Sequence, residues 1–231
     1  MTSAVVLGGG RASRLDGVDK ASVEVGERML VDHVLAAVAG CDPVVAVGPL
    51  SLARPGVVVV REDPPFGGPV AAVAAALAVL PGGTEDDDTE AWLLACDLPR
   101  AAQIVATLAD VPIPPDADAV VLVDERGREQ WLAGRYRVRA LRRAVAGLPE
   151  VAGVSVRRLV ADLRLRTVVD RTGASLDLDT WADVERYRAV ADDADALGGP
   201  AGRPPERASD RPADRPTIRP SIHPTDERAP R

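Results

Sequence analysis

The chain reads as an α/β domain, a mostly parallel sheet flanked by helices, followed by a disordered C-terminal tail. Three observations predict it. Short Val-rich runs without polar alternation, "PVVAV" (43–47) and "GVVVV" (56–60), suit strands covered on both faces. They alternate with stretches carrying apolar residues at helical spacing, joined by short loops, which is the pattern of βαβ units. The 231 residues are 46% hydrophobic but 3% aromatic, so the core must be built from Val, Leu and Ala. One domain over residues 1–195 and a tail over 196–231 account for the chain.

The elements follow in order. "SAVVL" (3–7) is the first strand and runs straight into glycines. "MLVDHVLAAVAG" (29–40) has helical periodicity and ends on a glycine, a common helix stop. "PVVAV" (43–47) and "GVVVV" (56–60) are β-branched strands. "PVAAVAAALAVL" (69–80) is a helix with Pro69 at its first position, where a missing N–H costs nothing. "GGTEDDDTE" (82–90) is a solvated acidic surface loop with no fixed geometry, where no metal is expected, and "AWLLAC" (91–96) is the next strand. That strand ends in "DLP" (97–99), so the Asp97 carboxylate stands at a C-terminal strand edge, and "RAAQIVATLAD" (100–110) is helical. "DAVVLVD" (118–124) and "EQWLAGRYR" (129–137) pair through the turn "ERGR". Helices follow near 138–147 and 155–163, then the strand "RTVVD" (166–170). "TWADVERYRAVADDADAL" (180–197) is the last helix, with Thr180 as its cap. Ligands of such sheets bind at the strand C-termini.

Composition narrows the function. Net charge is −7, and residues 196–231 carry seven Arg against five Asp or Glu, leaving the body near −9. That argues against nonspecific binding to nucleic acid, though not against a local phosphate pocket. No apolar run reaches the roughly 18 residues of a membrane span, and no basic leader precedes the first strand, so the expectation is a cytoplasmic protein. Cys41, Cys96, His33 and His223 form neither a disulfide framework nor a zinc spacing, and the cysteines read as small buried hydrophobes. Beyond Gly198 the last 36 residues hold eight prolines, with "RP" at 203, 211, 215 and 219. This tail is a solvated linker or an arm touching a partner, with no catalytic role.

The stretch "LGGGRASRLDGVDK" (7–20) follows a strand, where a phosphate-binding loop would lie. It fits neither the dinucleotide fingerprint, since Ser13 stands where the last glycine belongs, nor a Walker loop, since Lys20 follows Asp19. Three consecutive glycines either form a plain turn or let successive N–H groups converge on an anion. Arg11, Arg14 and Lys20 add charge, and Lys20 is the single lysine beside 27 arginines. A lysine supplies a compact ammonium with rotatable donors that can follow a phosphate, whereas arginine's planar fork prefers fixed bidentate geometry.

"LGGGRASRLDGVDKA" resembles the signature loop of molybdenum cofactor guanylyltransferases, in the MobA-like nucleotidyltransferase family, whose pattern runs Leu-x-Gly-Gly, then Arg-Met-Gly, then Asp-Lys. "REDPPFGGPVAAVAAAL" (61–77) resembles that family's Asp followed by Gly-Pro-Leu-Ala-Gly, and "WLLACDLP" (92–99) its strand ending in Asp-x-Pro. "DERGREQWLAGRYR" (124–137) is similar to its hairpin before the pterin side, and "SLDLDTWADVERY" (175–187) to its closing Asn-x-Asn motif. The five matches keep the family's order and span residues 4 to about 190.

The resemblance implies a Rossmann-like nucleotidyltransferase fold. It implies transfer of GMP from GTP to the terminal phosphate of molybdopterin or Mo-molybdopterin, with release of pyrophosphate, and a molybdoenzyme or cofactor-handling protein as a further partner. By the same similarity Leu7, Gly8, Gly9 and Gly10 contact the nucleotide, Lys20 its phosphates, Asp63 is an acidic nucleotide-site residue, and Asp97 binds Mg²⁺. Arg14 either meets the entering phosphate or pairs with Asp16, and Asp97 has the alternative of capping the next helix. The sequence departs from the family at Leu15 and Asp16, which replace Met-Gly, and at Gly48, where an Asn is usual and a base or ribose contact is missing. Asp177 or Asp179 replaces asparagine and either adds a metal ligand or caps the last helix. Two alternatives follow: a relative that uses CTP or another phosphorylated acceptor, and a silent nucleotide-binding partner that hands on the cofactor.

Overall fold

Valine and isoleucine lose little rotamer freedom in extended chain, and the β-branched runs extend as expected. In the computed structural model, which describes residues 2–8, 20–82, 88–178 and 180–196, the elements run in this order. They are β1 Thr2–Leu7, β2 Glu24–Val25, β3 Arg28–Met29, α1 Leu30–Ala37, β4 Val44–Val47, β5 Val57–Val60, α2 Pro69–Val79 and β6 Glu90–Ala95. After them come α3 Ala101–Leu108, β7 Ala119–Val123, β8 Glu129–Arg137, α4 Val138–Ala146, α5 Val156–Val160, β9 Leu165–Val169 and α6 Trp181–Ala196. Gly9, Gly10, Arg14, Asp179, residues 83–87 of the acidic loop and the tail from 197 onward lie outside the described residues.

Seven strands form one sheet in the order β5-β4-β1-β6-β8-β7-β9. Neighbours are parallel except β8, which is antiparallel to both β6 and β7. The chain moves outward from β1 through β4 to β5, then returns to place β6 on the other side of β1. The order therefore reverses between β1 and β6, and in open α/β sheets ligands bind at such a reversal, beyond the strand C-termini.

Successive strand residues face opposite sides, and both sides are covered. Ala4, Val6, Val44, Ala46, Trp92 and Leu94 pack with Val31, Val34 and Leu35 of α1 and Ile104 and Leu108 of α3. Val5, Leu7, Val45, Val47 and Leu93 pack with α2, α4 and α5 through Val70, Val73, Leu77, Leu141 and Leu159. Burial of each valine, leucine or isoleucine among them contributes about 1.5–3 kcal/mol. The expectation of two-sided coverage holds for β4, and β1 and β6 are covered in the same way, but it fails for β5, the sheet's edge strand, where Val58 is 45% exposed. The α2 helix lies mainly over β1 and β4, so that on this face of β5 Val60 packs against its cluster while Val58 stays exposed.

The expected first helix over 29–40 is shorter, because a small hairpin intervenes. The two-residue strands β2 and β3 pair antiparallel around Gly26, whose φ is +63°, a conformation that favours glycine. Strands this short carry no readable periodicity. Their Val23 and Val25 side, with Leu30, forms a third core against Leu178 and Val184, with Tyr187 packed beside them. The hairpin thereby becomes the seat of α6. Thr180 caps α6 as expected: its Oγ1 accepts from the Asp183 N–H at 3.2 Å, and an Asp183 oxygen accepts from the Thr180 N–H at 2.9 Å. Among the described residues no helix is long and apolar enough to cross a membrane.

The acidic loop also differs from expectation. Asp88 has fixed geometry, accepting from Arg137 at 2.6 Å and lying 3.3 Å from Arg139. It stands just before β6, at the edge opposite the strand C-termini, so its role is structural.

Candidate functional site

The site grows from the way β1, β4, β5 and β6 end. β1, β4 and β6 each continue one hydrogen bond beyond their last strand residue: Gly8 N–H donates to Val47 at 2.8 Å, Gly48 N–H to Val60 at 2.9 Å, and Cys96 N–H to Leu7 at 3.0 Å. At this edge the backbones approach too closely for side chains. A Cβ on Gly8 would lie 2.5 Å from Cδ1 of the fully buried Leu52. Gly48 has φ +151°, and its Cβ would lie 2.9 Å from the same carbon and 3.0 Å from the Gly8 carbonyl carbon. The missing side chain at position 48 therefore has a steric cause, and Leu52, which sequence reasoning did not single out, is the plug behind both glycines.

Across the strand reversal, Lys20 and Asp97 meet although 77 residues separate them. Lys20 Nζ donates to Asp97 Oδ2 at 3.0 Å, with side chains 23% and 12% exposed. Lys20 opens a short 3₁₀ turn over Lys20–Ser22 that is seated by the buried Ala21. Asp97 follows β6 by two residues. Its other oxygen, Oδ1, is buried and has no hydrogen-bond partner among the described residues. The capping alternative for Asp97 is excluded, because the α3 cap position is Arg100 and makes no side-chain cap bond.

An unpartnered buried carboxylate oxygen is costly and calls for a ligand. Among the described residues there is no cluster of three or more His, Cys, Asp or Glu. A cation here would therefore rest on Asp97 and complete its shell with oxygens of substrate and water. That donor set suits Mg²⁺, which binds through one or two carboxylates plus phosphates, better than Zn²⁺ or Ca²⁺.

The remaining expected site residues are distributed as follows. Leu7 and Gly8 are buried at the end of β1 beside the Lys20–Asp97 contact. Asp63 stands on the exposed turn three residues after β5, a strand two places from β1 in the sheet, and is not part of that contact. Gly9, Gly10 and Arg14 lie outside the described residues. Asp177 is exposed next to the buried Leu178, whose N–H donates to the Asp97 carbonyl at 3.2 Å.

The segment leading there begins at Asp170, buried just beyond β9. Its carboxylate accepts from the N–H and hydroxyl of Thr172, both at 3.0 Å, and of Ser175, both at 2.7 Å. Burial pushes the Asp170 carboxyl up, but these donors, led by Ser175, outweigh it and hold it at about 2. Cys96 is buried as expected, and Cys41 is half-buried, with its thiol pushed up by desolvation.

The family model for the MobA-like NTP transferase domain matches residues 4–169. Molybdopterin-guanine dinucleotide biosynthesis protein A from Archaeoglobus fulgidus is 18% identical, with a TM-score of 0.56 over 84% of this chain and 100% of that one. Rv0371c from Mycobacterium tuberculosis is 23% identical, with a TM-score of 0.62 over 81% of this chain and 97% of that one. The 2-C-methyl-D-erythritol 4-phosphate cytidylyltransferase from Thermus thermophilus is 17% identical, with a TM-score of 0.54 over 81% and 98%. At these identities the likeness carries the fold. No curated protein sequence matches the chain.

Proposed function

The chain belongs to the MobA-like NTP transferase domain family and is a nucleotidyltransferase, and on that premise we propose that it transfers GMP from GTP to the terminal phosphate of molybdopterin or Mo-molybdopterin. The observation that carries the reading is the Lys20–Asp97 contact at the strand reversal beside Gly8, with one Asp97 oxygen left unpartnered. Resemblance of five ordered motifs to molybdenum cofactor guanylyltransferases supports the choice of acceptor.

An acceptor phosphate oxygen attacks the α-phosphorus of GTP, the bond to the bridging α–β oxygen breaks, and pyrophosphate leaves. The nucleophile is already anionic at neutral pH, so no general base is needed. Rate comes from alignment and from neutralising the charge that moves onto the leaving group. Lys20 serves the triphosphate, its ammonium moving from the carboxylate to a phosphate oxygen without loss of hydrogen bonding. Leu7 and Gly8, with Gly9 and Gly10 beyond them, present backbone to the nucleotide; Asp63 serves the nucleoside end and Arg14 the entering phosphate. Asp97 would hold Mg²⁺ through Oδ1, and the ion supplies charge neutralisation at phosphate oxygens. A molybdoenzyme or a cofactor-handling protein is the fitting recipient of the dinucleotide product.

Gly48 supports a second reading, a CTP-dependent transfer, since the position offers no side chain to distinguish a purine. The test is pyrophosphate release from GTP or CTP with Mg²⁺ and molybdopterin. Release with GTP, and a guanine dinucleotide product by mass, is the expected outcome. Release with CTP alone replaces the first reading by the second. Nucleotide binding without turnover of any phosphorylated acceptor makes the chain a silent cofactor-handling partner.

A further inference from the structure

We infer that Leu178 is a positioning residue for Asp97, and that the 170–178 strap together with α6 braces the transfer site; the inference rests on the reading of Asp97 as a site carboxylate. β6 stops at Ala95 and the last sheet hydrogen bond is made by Cys96, so the sheet leaves the Asp97 peptide to be fixed from outside. Leu178 supplies that bond, its N–H donating to the Asp97 carbonyl at 3.2 Å. The Leu178 side chain is fully buried in the third core with Val23, Val25, Leu30 and Val184.

Lys20 is tied to the same core. The Val23 N–H donates to the Lys20 carbonyl at 3.2 Å, and the Leu30 N–H to the Val23 carbonyl at 2.9 Å. One small apolar cluster therefore holds both members of an ion pair that stand 77 residues apart. A second tether runs alongside. Arg100 donates to the Thr172 carbonyl at 3.0 Å while its guanidinium lies 5.4 Å from the Tyr187 ring centre on α6. Asp170 knots the strap's far end through its four bonds to Thr172 and Ser175, and Arg188 of α6 donates to the Glu24 carbonyl of the hairpin. Site geometry needs to be held to about 0.5 Å, and buried side chains with neighbouring hydrogen bonds are what hold it.

The experiment compares Leu178→Ala with Leu141→Ala in the full chain. Both remove a fully buried aliphatic side chain, but Leu141 of α4 packs in the cluster with α2 and α5, which holds no residue of the strap. Three quantities are measured: kcat and KM for pyrophosphate release, Mn²⁺ affinity with GTP present by paramagnetic resonance, and hydrogen exchange over residues 93–100. Leu178→Ala is expected to lower kcat at least tenfold with KM for GTP changed less than threefold, to weaken Mn²⁺ at least fivefold, and to speed exchange over 93–100. Leu141→Ala is expected to lower the melting temperature while kcat and Mn²⁺ affinity stay within twofold. Leu178→Met restores both. Equal behaviour of the two alanine variants overturns the brace. Should Leu178→Ala not fold, Arg100→Gln releases the Thr172 tether without opening a core, and an unchanged Mn²⁺ titration in that variant overturns the inference. Metal titration and exchange require no turnover, so an inactive wild type overturns the assigned reaction alone.

Discussion

Breaking the Lys20–Asp97 pair one member at a time, and then both together, measures how strongly the site is organised before substrate arrives. At 3.0 Å the gross attraction is about 1.4 kcal/mol with the dielectric of water and about 5.5 kcal/mol at an effective value near 20. Exposures of 23% and 12% put the pair between surface pairs, worth about 0–1 kcal/mol, and buried ones, where removing one partner costs about 3–5 kcal/mol. After lost hydration and the ordering of a lysine chain, a net interaction of about 1–2 kcal/mol remains. Lys20→Met leaves both Asp97 oxygens unpartnered and is expected to lower stability by about 2 kcal/mol, or roughly 4–8 °C in melting temperature for a domain of this size. Asp97→Asn is milder, since a neutral amide tolerates burial better than an unpaired carboxylate. The assay is urea unfolding of wild type, both single variants and the double variant at pH 7. The double variant is expected to fall short of the sum by about 1–2 kcal/mol. Additivity within about 0.3–0.5 kcal/mol would show that the contact carries no energy and refute the argument. In turnover each single change is expected to cost about 10²–10³-fold, with the double variant little worse than the weaker single, as for residues that act as a unit.

Gly8→Ala should overpack the edge and lower stability by about 1–3 kcal/mol, less so when Leu52 is also reduced to Ala; equal losses in both backgrounds would remove Leu52 as the obstructing group. Gly48→Asn, which restores the family's usual residue, should destabilise the fold and leave GTP affinity unimproved by equilibrium titration, because backbone and Leu52 already occupy the space. Asp170 has its carboxyl lowered from 3.8 to about 2, so its stabilising contribution, roughly 2 kcal/mol, is complete above pH 4 and lost as pH falls toward 2. Asp170→Asn should therefore lower stability at pH 7 and flatten the fall between pH 4 and 2, and an unchanged acid slope by chemical denaturation would contradict the assigned bonds. Chelation of divalent ions should abolish pyrophosphate release, with Mg²⁺ restoring it; activity that survives chelation removes the cation from Asp97.

Much of the architecture was legible because its causes are local. A valine run without alternation marked β4 as a covered strand, Pro69 and Thr180 marked two helix starts, and "ERGR" marked the turn joining β7 to β8. What failed locally failed for want of signal or of neighbours: two-residue strands have no period, and the four valines of β5 cannot reveal that they form a sheet edge. The chemistry of the site was legible as residue types, namely a glycine run after a strand, a single lysine and an aspartate before "LP".

Their convergence was not legible. The 77-residue gap from Lys20 to Asp97 closes only because β6 inserts beside β1 rather than beyond β5, and Leu52 lies behind Gly8 only because β4 takes the other flank. The same holds for the bond from Leu178 to the Asp97 carbonyl. By itself the sequence determined which segments extend, which coil and where charge and glycine sit, since those depend on side-chain period and backbone freedom within a few residues. Strand order and the meeting of distant side chains were decided by tertiary structure, because they depend on which apolar faces bury one another across the whole chain.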